Sequence, residues 1–419
     1  MRRRNLLAAL GVTALSHPLA AALRPAAERV VIVGAGFGGA NCARVLRQLA
    51  PTLNITLIDA RSQFYTGPFT NLAIAGHWAL QRIRFSTAQI AQAHGVRWRP
   101  GEVLDIDPVR RRVRMADGET IEAERIVLAP GVRMRYADVE GLNTRNSAQV
   151  PHAWLGDAQL PALRRRLAAL KDGATVAISA PAGRYRCPPG PYERAGLVAW
   201  ALQQRGRRSK VLILDAKDDF TKRGPIQAAW SSLYPGMVEW VPRQAGGAVS
   251  GVDTSQQQLH LKGGESVRAD LISLIPPQEA AAIAHQADLV DASGWCPVEP
   301  VGFESRRYAG VHVIGDAADV QPMPKSAYAA GAQGKLCALA IVADLQGLAR
   351  PQGLLTNTCY SLLAPDSGVS ISASYAVVEG RLNSLSSGQS ASFAAPSVRK
   401  LEADNAYAWY ANVTKDSFQ

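Results

Sequence analysis

The residues best suited to chemistry are five cysteines: Cys42, Cys187, Cys296, Cys337 and Cys359. An odd count leaves at least one thiol unpaired within the chain. Cys187 has an unusual setting. It lies in Arg184-Tyr-Arg-Cys-Pro-Pro-Gly-Pro-Tyr-Glu-Arg194, beside Pro188, Pro189 and Pro191. Prolines restrict the unfolded chain, so such a loop holds a thiol with little entropy left to lose. By residue type alone, a structural disulfide or a pair of inert buried thiols is the favoured reading. Glu193, six residues after Cys187, either handles a proton or complements a helix dipole as a first-turn acid. Cys42 and Cys337 sit among small apolar residues and read as packing thiols. No Cys-x-x-Cys-His occurs, so the chain attaches no c-type haem itself, and no His/Cys spacing suits a metal such as zinc.

Two strand–loop–helix units must position these groups. Around Cys187, Thr175–Ala180 and Lys210–Asp215 read as strands joined by a helix over 192–204, a βαβ unit. Its first turn carries prolines where a dinucleotide fold keeps glycines. Prolines lack N–H donors for a pyrophosphate, so nicotinamide is not the expected electron partner. The other unit is complete. The strand Arg29–Val33 precedes Gly34-Ala-Gly36-Phe-Gly38-Gly39, a helix from Ala40 to about Ala50, and a strand Asn54–Asp59. Gly34 permits the tight turn, Gly36 lets backbone approach a pyrophosphate, and Gly39 lets helix pack on strand. Asp59 stands where an acid meets a ribose hydroxyl. Glu102–Ile121 reads as a meander turning at Asp117-Gly118, and Arg125–Gly131 as a strand entering a turn. Val311-His-Val-Ile-Gly-Asp-Ala317 ends a strand in Gly-Asp-Ala, before a helix over about 326–345. This resembles the flavoprotein disulfide reductases, whose Gly-Asp places an acid near the ribityl and phosphate part of FAD. The resemblance implies that role for Asp316, which by residue type alone is also a helix N-cap, and it favours FAD over NAD.

The N-terminus, Met1-Arg-Arg-Arg4, then Asn5–Leu15, then Ala20-Ala-Ala22, reads as an export signal over 1–22. Adjacent arginines suggest the twin-arginine route, with an ordinary secretion signal as the alternative. The expected location is the periplasm. No other stretch reaches about 18 apolar residues, so no membrane span is expected. Losing Arg2, Arg3 and Arg4 lowers the formal charge from +12 to +9. The remaining basic residues lie in short groups such as Arg110–Arg112, without interleaved aromatics. They suit a solvated face better than nucleic-acid binding.

Several longer motifs closely resemble the flavoprotein subunit of flavocytochrome c sulfide dehydrogenase. They are Arg186-Cys-Pro-Pro-Gly-Pro-Tyr-Glu-Arg194, Pro151-His-Ala-Trp154, Leu274-Ile-Pro-Pro277, Gly294-Trp-Cys-Pro-Val298, Pro322-Met-Pro-Lys-Ser326 and Asn357-Thr-Cys-Tyr-Ser-Leu-Leu-Ala-Pro365. They span nearly the whole chain. The resemblance implies an α/β fold of two dinucleotide-binding-type domains plus a C-terminal interface domain. The expected layout is a split FAD domain, 28–140 and 273–349, a central NAD-binding-like domain at 141–272, and the C-terminal domain at 350–419. It also implies a redox-active Cys187–Cys359 disulfide beside FAD, sulfide as substrate and a separate c-type cytochrome subunit as partner.

On this reading hydrosulfide attacks the disulfide, leaving a persulfide on Cys187 and a thiolate at Cys359 that passes two electrons to the flavin. Lys325 then either steadies negative charge on reduced flavin or is a surface lysine. One position departs from the family. Gly67, in Phe64-Tyr-Thr-Gly-Pro-Phe-Thr-Asn71, replaces the cysteine that links FAD covalently, so FAD is expected to dissociate. Two alternatives accompany this reading: a sulfide:quinone oxidoreductase-like enzyme, and a flavin-binding protein that has lost catalysis.

Overall fold

A computed structural model describes residues 28–206 and 208–419; the expected export signal lies outside the described residues. The strand Arg29–Val33 is central in a five-stranded parallel sheet. Across it the order is Val311–Val313, Arg125–Leu128, Arg29–Val33, Asn54–Asp59 and Arg97–Pro100. Four of its strands are largely apolar and buried, as a covered parallel sheet requires, while the edge strand Arg97–Pro100 is partly exposed. The chain leaves this sheet after Leu128 and returns at Val311. The glycine-loop helix Phe37–Leu49 packs closely on Ala327–Leu345. Gly334 makes this possible, because a Cβ there would collide with the Gly38 carbonyl. The expected meander is present as Val103–Asp107, Arg112–Met115 and Thr120–Glu122.

The central sheet is also parallel, in the order Val238–Val241, Lys210–Asp215, Thr175–Ala180, Leu271–Ser273. Its first crossover helix is Gly190–Gln203, which starts two residues before Tyr192. Pro191 is tolerated there because first-turn amides need no intrahelical partner. The chain ends in an antiparallel sheet, Leu355–Ala364, Ser367–Val378 and Arg381–Gln389, and a helix Pro396–Phe418.

The Ser/Gly-rich composition of 384–397 predicts a loop, and the structure differs: 384–389 belong to an edge strand. Its backbone pairs with residues 371–378, and Ser374 and Ser386 hydroxyls meet at 2.7 Å across the ladder. Cross-strand pairing overrides the weak β-propensity of serine and glycine. The strand Leu355–Ala364 lies against the helix Gly190–Gln203. A Cβ on Gly196 would come within 2.9 Å of Leu363 Cδ1, so only glycine allows this approach. That contact carries Cys359 towards Cys187.

Candidate functional site

A cavity of about 590 Å³ runs between the two sheets and the C-terminal unit. One end is the glycine loop. Gly34 has φ +105°, and its amide donates to the Ile58 carbonyl at 2.7 Å. A Cβ on Gly39 would collide with the Gly34 carbonyl, whereas one on Gly36 would meet nothing within 4 Å. Gly36 therefore faces open space at a helix N-terminus that no side chain caps and no first-turn acid neutralises. Asp59 accepts the Ala35 amide at 2.9 Å and pairs with Arg61 at 3.2 Å. The Arg61 side chain is half-exposed and lines the same cavity.

Further along, the Gly315 amide donates to Gln333 Oε1 at 2.7 Å, which fixes the turn bearing Asp316. Asp316 Oδ2 pairs with Arg186 Nε at 3.3 Å, while Oδ1 is buried with no partner among the described residues. An open glycine backbone, an uncapped helix end and an orphaned carboxylate oxygen fit the phosphates and hydroxyls of a dinucleotide.

The other end holds the thiols. Cys187 and Cys359 both line the cavity as free thiols. Cys187 has φ +60°, a sparsely populated conformation for a residue with a side chain. Its amide donates to the Lys325 carbonyl at 2.8 Å and its carbonyl accepts the Gly190 amide at 2.9 Å. Burial pushes the Cys187 thiol well above its ordinary value, with Cys359 and Glu193 adding to the rise and Lys222 and Arg186 opposing it. Burial raises Cys359 too, and Lys222 offsets this. Glu193 lines the same wall. Burial pushes its carboxyl up to about 7, against the pull of Lys222, Ser361, Asn71 and Arg194. Asn71 donates to the Gly190 carbonyl at 3.1 Å and accepts from Arg194 Nε at 3.0 Å. Arg194 also holds the His152 carbonyl at 2.6 Å, which ties the Pro-His-Ala-Trp motif to the cysteine loop.

The expected site residues thus fall into two groups. Gly34, Gly36, Asp59, Asp316, Cys187, Glu193 and Cys359 share the cavity wall, and Gly39 packs directly behind it. Lys325 does not reach the cavity. Its ammonium donates to the Asp316 and Ala318 carbonyls at 2.7 and 2.8 Å, lies 3.7 Å from the Trp295 ring centre and lines a smaller neighbouring cavity. It supports the Asp316 turn and hangs the Cys187 loop from its carbonyl. Cys42, Cys296 and Cys337 are buried away from the cavity wall.

Sequence reasoning missed Arg186 as the bridge to Asp316, and Lys222, whose ammonium lies 3.9 Å from Cys359 Sγ. Arg186 was legible as part of the loop motif. Lys222 follows Asp218-Asp-Phe-Thr221 in a polar stretch with no pattern to mark it.

The chain is similar in sequence and fold to known flavoproteins. The family model described as "Sulfide dehydrogenase [flavocytochrome c] flavoprotein chain, central" matches residues 161–276. "Flavocytochrome c sulphide dehydrogenase, flavin-binding" matches 351–418, and "Pyridine nucleotide-disulphide oxidoreductase" matches 28–161. The sulfide dehydrogenase [flavocytochrome c] flavoprotein chain of Chlorobaculum thiosulfatiphilum is 50% identical over 44 residues, covering 10% of this chain and 92% of that sequence. The mitochondrial sulfide:quinone oxidoreductase of Mus musculus is 20% identical over 321 residues, 73% of this chain and 68% of that one. The solved sulfide:quinone oxidoreductase of Aquifex aeolicus shares the fold, with a TM-score of 0.74 at 17% identity over 94% of this chain and 92% of that one.

Proposed function

The chain belongs to the flavocytochrome c sulfide dehydrogenase flavoprotein family, and we propose that it oxidises hydrosulfide through a Cys187–Cys359 disulfide and FAD, passing electrons to a c-type cytochrome. The observation that carries this reading is the shared cavity. Two cysteines distant in sequence line the same space as a glycine loop built for a dinucleotide. FAD, when bound, takes up two electrons together and releases them singly.

With FAD bound, the Gly36 backbone and the helix N-terminus behind it would hold the pyrophosphate, with Gly34 forming the turn, Asp59 would meet a ribose hydroxyl and the free oxygen of Asp316 a hydroxyl of the ribityl chain. Hydrosulfide attacks Cys187 Sγ and the disulfide opens, leaving a persulfide on Cys187 and a thiolate on Cys359. Glu193, with its carboxyl near 7, takes the proton that hydrogen sulfide gives up on becoming hydrosulfide, before the attack. The rigid proline loop keeps Cys187 aligned for attack and excludes water from its buried side.

The cofactor is held without a covalent bond, because Gly67 has no thiol to offer. A Cβ at Gly67 would lie 3.0 Å from Arg186 Nη2, so the arginine that pairs with Asp316 occupies the space beside this position. Acid precipitation is expected to release all the flavin; flavin retained in the pellet excludes this. The signal read from residues 1–22 assigns the chain to the periplasm. Among the described residues no helix is long and apolar enough to cross a membrane.

The deciding experiment is an anaerobic sulfide titration of the FAD-loaded protein, following the oxidised-flavin absorbance. Bleaching reversed by oxidised cytochrome c is the expected result. The match to sulfide:quinone oxidoreductases favours a second reading, in which a quinone is the acceptor. Bleaching reversed only by a quinone selects that reading. A flavin that dithionite bleaches and sulfide does not removes both.

A further inference from the structure

We infer that Lys222 is a catalytic residue whose ammonium stabilises the Cys359 thiolate released when the disulfide opens, and so decides which of the two sulfurs leaves. The inference rests on the cysteine-pair reading above and concerns a residue that reading does not use.

Lys222 is 1% exposed. Burying an ammonium costs several kcal/mol unless a partner compensates it. Its bonded partners are the Ser361 hydroxyl at 2.8 Å, the Cys359 carbonyl at 3.4 Å and Cys359 Sγ at 3.9 Å, all on one strand. None of the three is a carboxylate. The Glu193 carboxyl also feels this charge, but the ammonium's own hydrogen bonds all point to the strand that carries Cys359, a sulfur that becomes an anion during turnover.

Its backbone has φ +65° at the N-terminal cap of the helix Arg223–Leu233, an uncommon conformation for a lysine. The preceding Phe220 stacks on Tyr192, one residue before Glu193, with ring centres 3.6 Å apart. The stack braces the lysine against the same helix that carries Glu193.

The charged and titratable groups facing this point come from three other elements. Cys187 and Arg186 come from the proline loop, Glu193 from the helix after it and Cys359 from the C-terminal sheet. Glu193 opposes and Lys222 favours a negative charge on either sulfur, but the hydrogen bond from Lys222 goes to Cys359. In the step itself the hydrosulfide sulfur bonds to Cys187 Sγ as the Cys187–Cys359 bond breaks. The electron pair of the broken bond passes to Cys359 Sγ, and the hydrosulfide proton stays on the new persulfide. Exchange is faster when the leaving thiol is the better-stabilised anion. An ammonium beside Cys359 therefore directs attack to Cys187.

The test uses FAD-loaded protein with the cysteines reduced, following iodoacetamide alkylation of each cysteine against pH by peptide mass spectrometry. Lys222→Met and Lys222→Gln are expected to shift the Cys359 curve upward by about one pH unit, a tenfold lower rate at fixed pH. The Cys187 curve should move upward less than the Cys359 curve, because Lys222 acts on Cys187 without a hydrogen bond, and Lys222→Arg should keep most of the wild-type rate. Flavin bleaching by sulfide should slow about tenfold in the Met and Gln variants, with bleaching by dithionite unchanged. A Cys359 curve in both variants that matches wild type, or a shift confined to Cys187, overturns the inference. If sulfide fails to bleach even the wild-type flavin, the proposed function falls, while the alkylation curves still decide whether Lys222 acts on Cys359.

Discussion

Two units of this chain share one topology and do opposite things with it. Each has a buried parallel strand, a loop, a helix and a second strand ending in an aspartate. In the N-terminal unit the loop is glycine, its backbone faces open space at Gly36, and Asp59 is partnered by the half-exposed Arg61 at the cavity edge. In the central unit the loop is proline and cysteine. Its aspartate, Asp215, is completely buried. It accepts from Tyr192 Oη at 2.5 Å, Trp240 Nε1 at 3.0 Å and the Lys217 amide and ammonium at 3.0 and 2.8 Å. Asp59 also accepts four bonds, but three of them come from the half-exposed Arg61 at the cavity edge, whereas those of Asp215 come from Tyr192, Trp240 and Lys217. The stacked rings of Phe220 and Tyr192 fill the space beside Asp215. The first unit is built to receive a ligand; the second has been filled with its own side chains and made rigid, which suits a loop that must hold one thiol still.

Breaking the chemistry should give the largest effect. Cys359→Ser is expected to keep FAD and dithionite reduction but to lower the sulfide-driven reduction rate by on the order of 10³-fold or more. Stopped-flow absorbance under nitrogen measures this, and an unchanged rate defeats the disulfide mechanism.

The filled unit can be emptied. Phe220→Ala removes a buried ring stacked on Tyr192, and a loss of about 3–5 kcal/mol in chemical denaturation is expected. A loss under about 1 kcal/mol would mean that the plug contributes little rigidity.

The open unit can be blocked instead. A side chain at Gly36 meets no protein atom, so Gly36→Val should leave the apoprotein melting temperature nearly unchanged. FAD affinity should fall about 100-fold, close to 3 kcal/mol, by equilibrium flavin fluorescence. Gly39→Ala should do the reverse and lower the apoprotein melting temperature, because its Cβ runs into the Gly34 carbonyl.

The smallest effect is a slope. Glu193 titrates near 4.5 in an unfolded chain and near 7 when folded, because burial disfavours its charge. Between those values the folded protein keeps a proton that the unfolded chain has lost. Stability therefore falls as pH rises through this window, by up to on the order of 3 kcal/mol. Glu193→Gln should remove that slope from melting temperature plotted against pH between 4.5 and 8. A slope that persists in the variant means that another group is titrating.

Much of the site was legible because its parts are local. The glycine loop, the Gly-Asp turn and the proline loop each carry their geometry in a few adjacent residues, since φ restrictions and missing N–H groups act within a turn. The serine-rich edge strand was not legible, because its pairing partner, not its composition, decides it. Lys325 shows the same limit. Its motif placed it beside Asp316, but only packing turned its ammonium onto two backbone carbonyls and over Trp295.

The sequence by itself therefore determined the two strand–loop–helix units, the family, the glycine at position 67 and the identities of the two thiols. The tertiary structure alone decided that those thiols share a cavity, that Asp316 keeps one oxygen free, and that Lys222 reaches Cys359. These are contacts between residues far apart in the chain. They depend on how the C-terminal sheet seats on the helix after Cys187, and close packing between separate elements leaves no mark in the spacing of neighbouring residues.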